Sequence, residues 1–307
     1  MQPLVTVMGL GEILWDLLPS GRQLGGAPAN FAYCSHLLGN RAVVASRIGS
    51  DHLGREVRDS LLRSGITDQF LQTDPEHSTG TVNVQVDSAG QPKFEIADNA
   101  AWDFLSWTDL WQALAESAHA VCFGSLAQRS EISRRTMLDF LDATKPEALR
   151  VFDVNLRQSF YSAEIVLESV KRANVVKLNH EEVPRVRELL AIDNSDEMAF
   201  CREVLQKFHL QLVCVTRGAD GSLLCDRNNT DEHPGFRIQI KDTVGAGDAF
   251  TAALVHELLR GATLAQMNDL ANRMGAWVAS SSGAMPPLPK QGLERALAQV
   301  QMKEIPD

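Results

Sequence analysis

Asp242-Thr243-Val244-Gly245-Ala246-Gly247-Asp248-Ala249-Phe250 is the stretch on which the reading of this chain turns. Downstream of it, Ala249, Ala252, Ala253, Val255, Leu258 and Leu259 make an apolar helical pattern that Gly261 closes as a C′ residue. The glycines therefore stand at a helix N-terminus. Backbone N–H groups lack intrahelical partners there, and the helix dipole favours an anion. Gly245 and Gly247 also remove side chains that would block an approaching phosphate. Asp248 falls in the first turn. As a helix-start charge it is ordinary. Beside a bound phosphate it repels the ligand, and the role that justifies it is taking the proton of an attacking hydroxyl. Spacing alone divides evenly between the two readings.

Upstream, Leu4–Met8, Ala42–Ile48, Ala120–Phe123, Arg150–Val154, Val175–Leu178 and Leu212–Thr216 are short apolar runs suited to buried parallel strands. Helical stretches lie between them. Leu53, Val57 and Leu61 recur every four residues until Gly65. Met198, Cys201, Leu205 and Phe208 share one face, with Asn194 and Glu197 spaced as a reciprocal cap. This alternation predicts an α/β fold, a mostly parallel sheet covered by helices. One region departs from it. Thr79–Asp87 and Lys93–Ile96 flank Ser88-Ala89-Gly90-Gln91-Pro92, and Val82, Val84 and Val86 alternate with polar residues. That pattern predicts a β-hairpin with one wet face, inserted as a flap. With no internal repeat and no Pro/Gly-rich linker, residues 1–307 read as a single domain.

The bulk composition is that of a globular protein, with 44% hydrophobic and 22% charged residues. A formal net charge of -10 argues against a nucleic-acid partner, whose phosphates need a basic surface. Cys34, Cys122, Cys201, Cys214 and Cys225 are odd in number, form no C-x-x-C pair and sit among apolar neighbours. They read as reduced core thiols, and the chain as cytoplasmic. No apolar run is long enough to span a bilayer, and the start shows no signal-peptide pattern. Two rival nucleotide motifs fail. No Gly-Lys dipeptide exists, so no G-x-x-x-x-G-K-[ST] loop is present. Gly9-Leu10-Gly11 lacks the third glycine of a dinucleotide fingerprint, because residue 14 is Leu14.

Gly25-Gly26-Ala27-Pro28-Ala29-Asn30 near the start and Asp242–Asp248 near the end resemble the two signatures of the PfkB (ribokinase-like) carbohydrate kinases. Within that family the chain is most similar to the fructokinase branch, through Gly11-Glu12-Ile13-Leu14-Trp15-Asp16, Asp153-Val154-Asn155-Leu156-Arg157 and Lys177-Leu178-Asn179. The resemblance covers essentially the whole chain. It implies a three-layer, Rossmann-like, mostly parallel sheet flanked by helices. It also implies a small β-sheet lid, built here from about residues 12–24 and 79–100. A lid that excludes water protects phosphoryl transfer from hydrolysis.

Site roles follow from the same resemblance. Asp248 is the implied general base, with the backbone of Gly245, Ala246 and Gly247 as the anion hole. Asp16, Gly25, Gly26 and Asn30 would hold sugar hydroxyls, which suits a carboxylate that accepts and an amide that both donates and accepts. Asn155 and Arg157 would lie near the transferred phosphate. Asn179 and Glu182 match an N-x-x-E element that places hydrated Mg²⁺. Thr216, Arg217, Gly218 and Gly221 match a nucleotide-side loop, for which a plain hairpin turn into Ser222–Cys225 is the bland reading, and Asn272 would lie near the nucleotide base. Many relatives hold a K⁺ ion. Here Asp242, Val244 and backbone near Ser282 and Gly283 would supply its site, although Ser280-Ser281-Ser282 stands where the family has a basic residue.

The implied activity is ATP- and Mg²⁺-dependent phosphorylation of fructose at the 6-hydroxyl, by a homodimer paired through its lids. Two alternatives stay open. One is the same chemistry on 2-keto-3-deoxygluconate or another small sugar or nucleoside. The other is a catalytically silent relative that senses sugar or nucleotide.

Overall fold

The computed structural model describes residues 5–18, 21–86 and 92–302. In chain order the strands are β1 (Thr6–Leu10), β2 (Leu14–Leu18), β3 (Gly21–Gly25), β4 (Arg41–Gly49), β5 (Leu71–Asp74), β6 (Gly80–Val86) and β7 (Pro92–Ile96). They continue as β8 (Ala120–Phe123), β9 (Leu149–Asp153), β10 (Val175–Asn179), β11 (Leu212–Thr216), β12 (Ser222–Asp226) and β13 (Thr230–His233). The helices are α1 (Ala27–Leu37), α2 (His52–Arg63), α3 (Asp109–Ser117), α4 (Glu131–Asp142) and α5 (Ala163–Arg172). After them come α6 (Val183–Leu189), α7 (Glu197–Lys207), α8 (Ala246–Leu258), α9 (Leu264–Ala279) and α10 (Leu293–Ala298).

A nine-stranded sheet runs in the order β13-β12-β11-β10-β9-β8-β1-β4-β5. Neighbours from β5 to β11 are parallel, and β12 and β13 add antiparallel. The parallel strands read as unbroken apolar runs because both faces are covered. Val7, Cys122, Val151, Val175 and Cys214 pack with α1, α2, α8 and α9. Their chain neighbours Met8, Val121, Phe152, Val176 and Val213 point the other way and pack with α3 to α7. The result is the three-layer α/β architecture expected, with the period-2 geometry of a strand feeding two cores.

β1 is displaced by two residues from the expected run. Its pairing with both β4 and β8 continues through Leu10, and Leu4 lies outside the described residues. Gly9 inside it is required by packing: a Cβ there would fall into the carbonyl of Pro28 in the first turn of α1. Gly9→Ala should cost about 1–3 kcal/mol through overpacking. A lowered urea midpoint at unchanged slope is the expected readout.

Two helix ends differ from expectation. Asp196, not Asn194, caps α7, its carboxylate accepting the Ala199 N–H at 2.8 Å. Asn194 lies too far upstream and donates instead to Glu203 at 2.6 Å. α8 closes on Leu259 as its C-cap, so Gly261 stands one position beyond C′, left-handed at φ 71.

A second sheet has four strands in the order β3-β2-β6-β7. β6 and β7 pair antiparallel as the expected hairpin, and β2 joins β6 in parallel. The turn expected at Ser88–Pro92 lies outside the described residues except for Pro92, which opens β7. All five cysteines are buried and unpaired. No helix of the described residues is long and apolar enough to cross a membrane.

From β1 the chain builds β4 and β5 on one side and β8 to β11 on the other. Such a reversal opens a crevice at the carboxyl ends of the strands. Glu12, Gly124, Asp153, Asn179 and Thr216 all stand at those ends.

Candidate functional site

α8 enters the crevice with its N-terminus. Gly245 is its N-cap, left-handed at φ 78, and a Cβ there would come 2.5 Å from the Ala284 side chain. No side chain caps the helix. The Ala246 N–H donates to the Thr243 carbonyl at 3.2 Å, so this member of the expected anion hole is engaged in the turn. Among the described residues no acceptor meets the N–H of Gly247 or Asp248. These two amides remain for an anion.

Asn30, on α1, donates from Nδ2 to Asp248 Oδ2 at 2.8 Å. The Asp248 carboxyl is surrounded by protein, while the residue keeps some surface at the cleft. Burial pushes it up to about 6, and the negative Asp153 adds to this; the Asn30 hydrogen bond, Lys177 and Arg157 pull the other way. Asp248, Asp153, Phe123, Gly124 and the start of α1 line a small recess.

Beneath the first turn of α8 lies a buried ion pair. Lys177 Nζ sits 3.0 and 3.1 Å from the two oxygens of Asp153, both residues being almost fully buried. Thr251, one turn into α8, donates to Asp153 Oδ2 at 2.8 Å. A Cβ on Gly247 would come 3.1 Å from the Lys177 ammonium. Burial pulls the ammonium down, but Asp153, Glu182 and Asp248 together hold it well above the ordinary lysine value. It is a fixed positive charge directly under the two open amides. In the sequence Asp153 and Lys177 stand out only as parts of motifs. A lysine inside the apolar run Val175–Leu178 was the signal that could have marked it.

Glu182 and Asn179 form a reciprocal clamp: the Asn179 N–H donates to Glu182 Oε2, and the Glu182 N–H to Asn179 Oδ1, each at 2.9 Å. Glu182 Oε1 accepts the Leu156 N–H at 2.7 Å. Glu182 therefore ties the loop after β9 to the loop after β10. Burial raises its pKa even so. Beside Leu156, Asn155 holds a left-handed backbone at φ 44, and Arg157 is exposed. Among the described residues Arg157 makes no ion pair; its Nη1 donates to the Leu156 carbonyl at 3.1 Å.

On the opposite wall, Asp16 in β2 is partly buried and raised to about 6, first by burial and then by Asp242, with Arg157 opposing. Gly25, in β3, makes room for it, since a Cβ would come 2.5 Å from Asp16 Oδ2. Gly26 needs its φ of 100, and a Cβ there would come 2.7 Å from the Glu12 carbonyl. Gln23, directly across from Asp16 in the β2–β3 pairing, reaches Gly283. The Gly283 N–H donates to Asp242 Oδ2 at 3.2 Å, while Asp242 Oδ1 accepts from Val244 N–H at 3.0 Å. β3 thus touches the loop bonded to Asp242 ahead of α8, a contact that local sequence does not signal.

The loop between β11 and β12 is a hairpin turn, since those strands pair antiparallel. Thr216 ends β11, Gly218 and Gly221 are left-handed at φ 58 and 80, and a Cβ on Gly221 would overlap the His233 carbonyl. Arg217 differs from expectation. Its guanidinium is spent on Glu197 and on Glu232 at 2.8 Å, so it braces the loop. Asn272 is likewise drawn into a buried network: its Nδ2 donates to Ser222 Oγ at 2.7 Å and Asn268 Oδ1 at 3.0 Å. What is left to it for a ligand is the carbonyl oxygen.

Open amides over a fixed ammonium can stabilise a phosphoryl group, and a raised carboxylate beside them can take a proton. Carboxylates outnumber cations in this cleft: Glu12, Asp16, Asp153, Glu182, Asp242 and Asp248 against Lys177 and Arg157. A polyphosphate needs a metal ion to enter. Among the described residues no cluster of three or more ligating side chains holds one outright, so a metal would be shared with the ligand and with water.

The profile of the pfkB family of carbohydrate kinases matches residues 21–291. The fructokinase of Escherichia coli is 32% identical over 306 residues, covering 93% of this chain and 97% of that one. The fructokinase of Vibrio cholerae O395, solved with fructose, ADP and calcium ion bound, superposes with a TM-score of 0.80 at 28% identity, covering 96% of this chain and 98% of that one. A double mutant of it was solved with fructose, ADP and potassium ion. An uncharacterized sugar kinase of Pyrococcus horikoshii in complex with ATP gives a TM-score of 0.79 at 27% identity, over 96% and 99% of the two chains.

Proposed function

This chain belongs to the pfkB family of carbohydrate kinases, and on that premise we propose that it transfers the γ-phosphoryl group of ATP to the 6-hydroxyl of D-fructose. The observation that carries this reading is the Asp248 carboxylate, held by Asn30 beside the open amides of Gly247 and Asp248 and above the Lys177 ammonium. The fructose and ADP in the Vibrio cholerae relative support the choice of sugar and donor.

The sugar lies between Asp16, Gly26 and Asn30, under the small sheet acting as lid. Asp248 takes the proton of the attacking hydroxyl as the oxygen–phosphorus bond forms, and ADP leaves with the oxygen of the broken bond. The two amides receive the charge on the phosphoryl oxygens, with Lys177 beneath and Arg157 at the rim. This transfer asks for positioning and charge neutralisation rather than covalent help. Mg²⁺, when bound, neutralises the nucleotide phosphates. Glu182 and Asn179 would hold its water shell, since Glu182 retains lone pairs beyond the two amides it accepts. Asp242 and the backbone of Val244 and Gly283 would hold K⁺. Thr216, Gly218 and Gly221 would shape the nucleotide side, and Asn272 would offer its carbonyl oxygen there. We further propose one domain that dimerises through the lid sheet.

An ADP-release screen over fructose, ribose, 2-keto-3-deoxygluconate and nucleosides tests the proposal. Fructose should give the highest kcat/KM. A tenfold preference for any other acceptor would replace the substrate, and no acceptor-dependent release at all would favour the silent sensor.

A further inference from the structure

Tyr33 lies one turn beyond Asn30 on α1 and is 5% exposed. Its hydroxyl donates to the Pro286 carbonyl at 2.5 Å, in a buried bond between positions 253 residues apart. Burial pushes the phenol up to about 12, so it stays a donor at neutral pH. The mechanism above makes no use of this bond. Yet the segment it holds, residues 283–286, is packed against the back of the anion site. Gly283 is tied to Asp242 through its N–H. Ala284 is 4% exposed, and a Cβ on Gly245 would fall 2.5 Å from its Cβ and 2.8 Å from its Cα. Gly245 is the N-cap of α8, just ahead of the open amides of Gly247 and Asp248.

The chain continues as Met285-Pro286-Pro287-Leu288-Pro289. Proline fixes its own φ and restricts the residue before it, so this segment transmits a displacement rather than absorbing it. α1 thereby grips the first turn of α8 twice. Asn30 holds the Asp248 carboxylate, and Tyr33 holds, through Pro286, the residue that backs Gly245. We propose that Tyr33 is a positioning residue for phosphoryl transfer: its hydroxyl fixes the Pro286 carbonyl, keeps Ala284 behind Gly245, and so sets where the Gly247 and Asp248 amides point. This deepens the kinase reading and rests on those amides being the anion hole. Donors moved by a fraction of an ångström lose much of their hold on a transferring group. Sugar held by Asp16, Gly26 and Asn30 does not depend on them.

Tyr33→Phe keeps the ring and removes the hydroxyl. The Pro286 carbonyl is then a buried acceptor without a donor, and the segment must move to satisfy it. In this variant kcat should fall about tenfold, with KM for fructose kept within about twofold. Nitrate is planar with three oxygens, like the transferring phosphoryl group. Titrated by calorimetry into the MgADP–fructose complex, it should bind the variant about tenfold more weakly than the wild type. Ala284→Gly removes the methyl behind Gly245 and should move both readouts the same way. The double variant should lose little more than the larger single loss, since both changes act through one contact. Thr136→Val is the control. It deletes another buried hydroxyl–carbonyl bond, from α4 to Leu105 at 2.9 Å. It should lower the urea midpoint similarly and leave kcat and nitrate binding unchanged.

Wild-type kcat in Tyr33→Phe would overturn the proposal. So would a fall in kcat at unchanged nitrate affinity, which would place the loss away from the amides. An equal fall in Thr136→Val would reduce it to a general effect of stability. Losses that multiply in the double variant would show the two side chains acting separately and would end it as well. Should Tyr33→Phe fail to fold, Ala284→Gly carries the same test, and full kcat with wild-type nitrate binding there decides against the proposal. A wild type that turns over fructose without binding nitrate removes the anion hole and the proposal with it. Failure of the kinase reading shows separately, as the absence of any acceptor-dependent ADP release.

Discussion

Asp248→Asn should fold, bind sugar, and lose at least ~10² in turnover, the lower end of what a positioned general base contributes. The asparagine keeps the size of the side chain, and its Oδ1 can still accept from Asn30 Nδ2, so the local packing survives. What disappears is the proton acceptor. The wild type should also carry an acid limb in kcat/KM. Asp248 is active when ionised and is raised to about 6, so activity grows as pH rises through that value. The limb should be missing from whatever activity Asp248→Asn retains. Turnover near that of the wild type in this variant would end the assignment of the base.

Lys177→Met should destabilise the protein by about 3–5 kcal/mol, the cost of leaving a buried charge without its partner. Met fills similar volume, so the loss is electrostatic. Asp153 would keep only the Thr251 hydroxyl at 2.8 Å and would lie close to Asp248, the like charge that already raises the base. Adding Asp153→Asn should recover a large part of the loss, because pair and replacement are far closer in stability than pair and half-pair. Chemical denaturation of both variants gives the answer. A loss under about 1 kcal/mol for Lys177→Met would show that water reaches Asp153. Turnover of the double variant would then report how much the ammonium contributes to the anion hole apart from the fold.

Much of the crevice was legible in the chain itself. The α8 start reads from Gly245, Gly247 and Asp248, because helix N-termini follow local rules of capping and backbone freedom. The strands read from their apolar runs, with errors of one or two residues where pairing rather than composition sets the end, as at Leu10. Arg217 is ambiguous in sequence, because a basic residue after a strand looks the same whether it meets a phosphate or a carboxylate; in the fold it meets Glu197 and Glu232. Glu182 reads in sequence as a metal carboxylate or a helix-start charge, yet it also clamps two loops through Leu156 and Asn179. Tyr33 is silent in sequence, because the carbonyl its hydroxyl meets lies 253 residues on.

By itself the sequence determined the α/β alternation, the glycine-opened helix with a carboxylate in its first turn, and the reduced state expected of its cysteines. These depend on neighbours within a turn or a strand. Only the tertiary structure decided which polar groups are spent and which are left to act. Asn30 meets Asp248, and Asp153 meets Lys177, across spans of 218 and 24 residues. The raised titrations of Asp248 and Lys177 follow from burial and from partners that chain folding alone brings near.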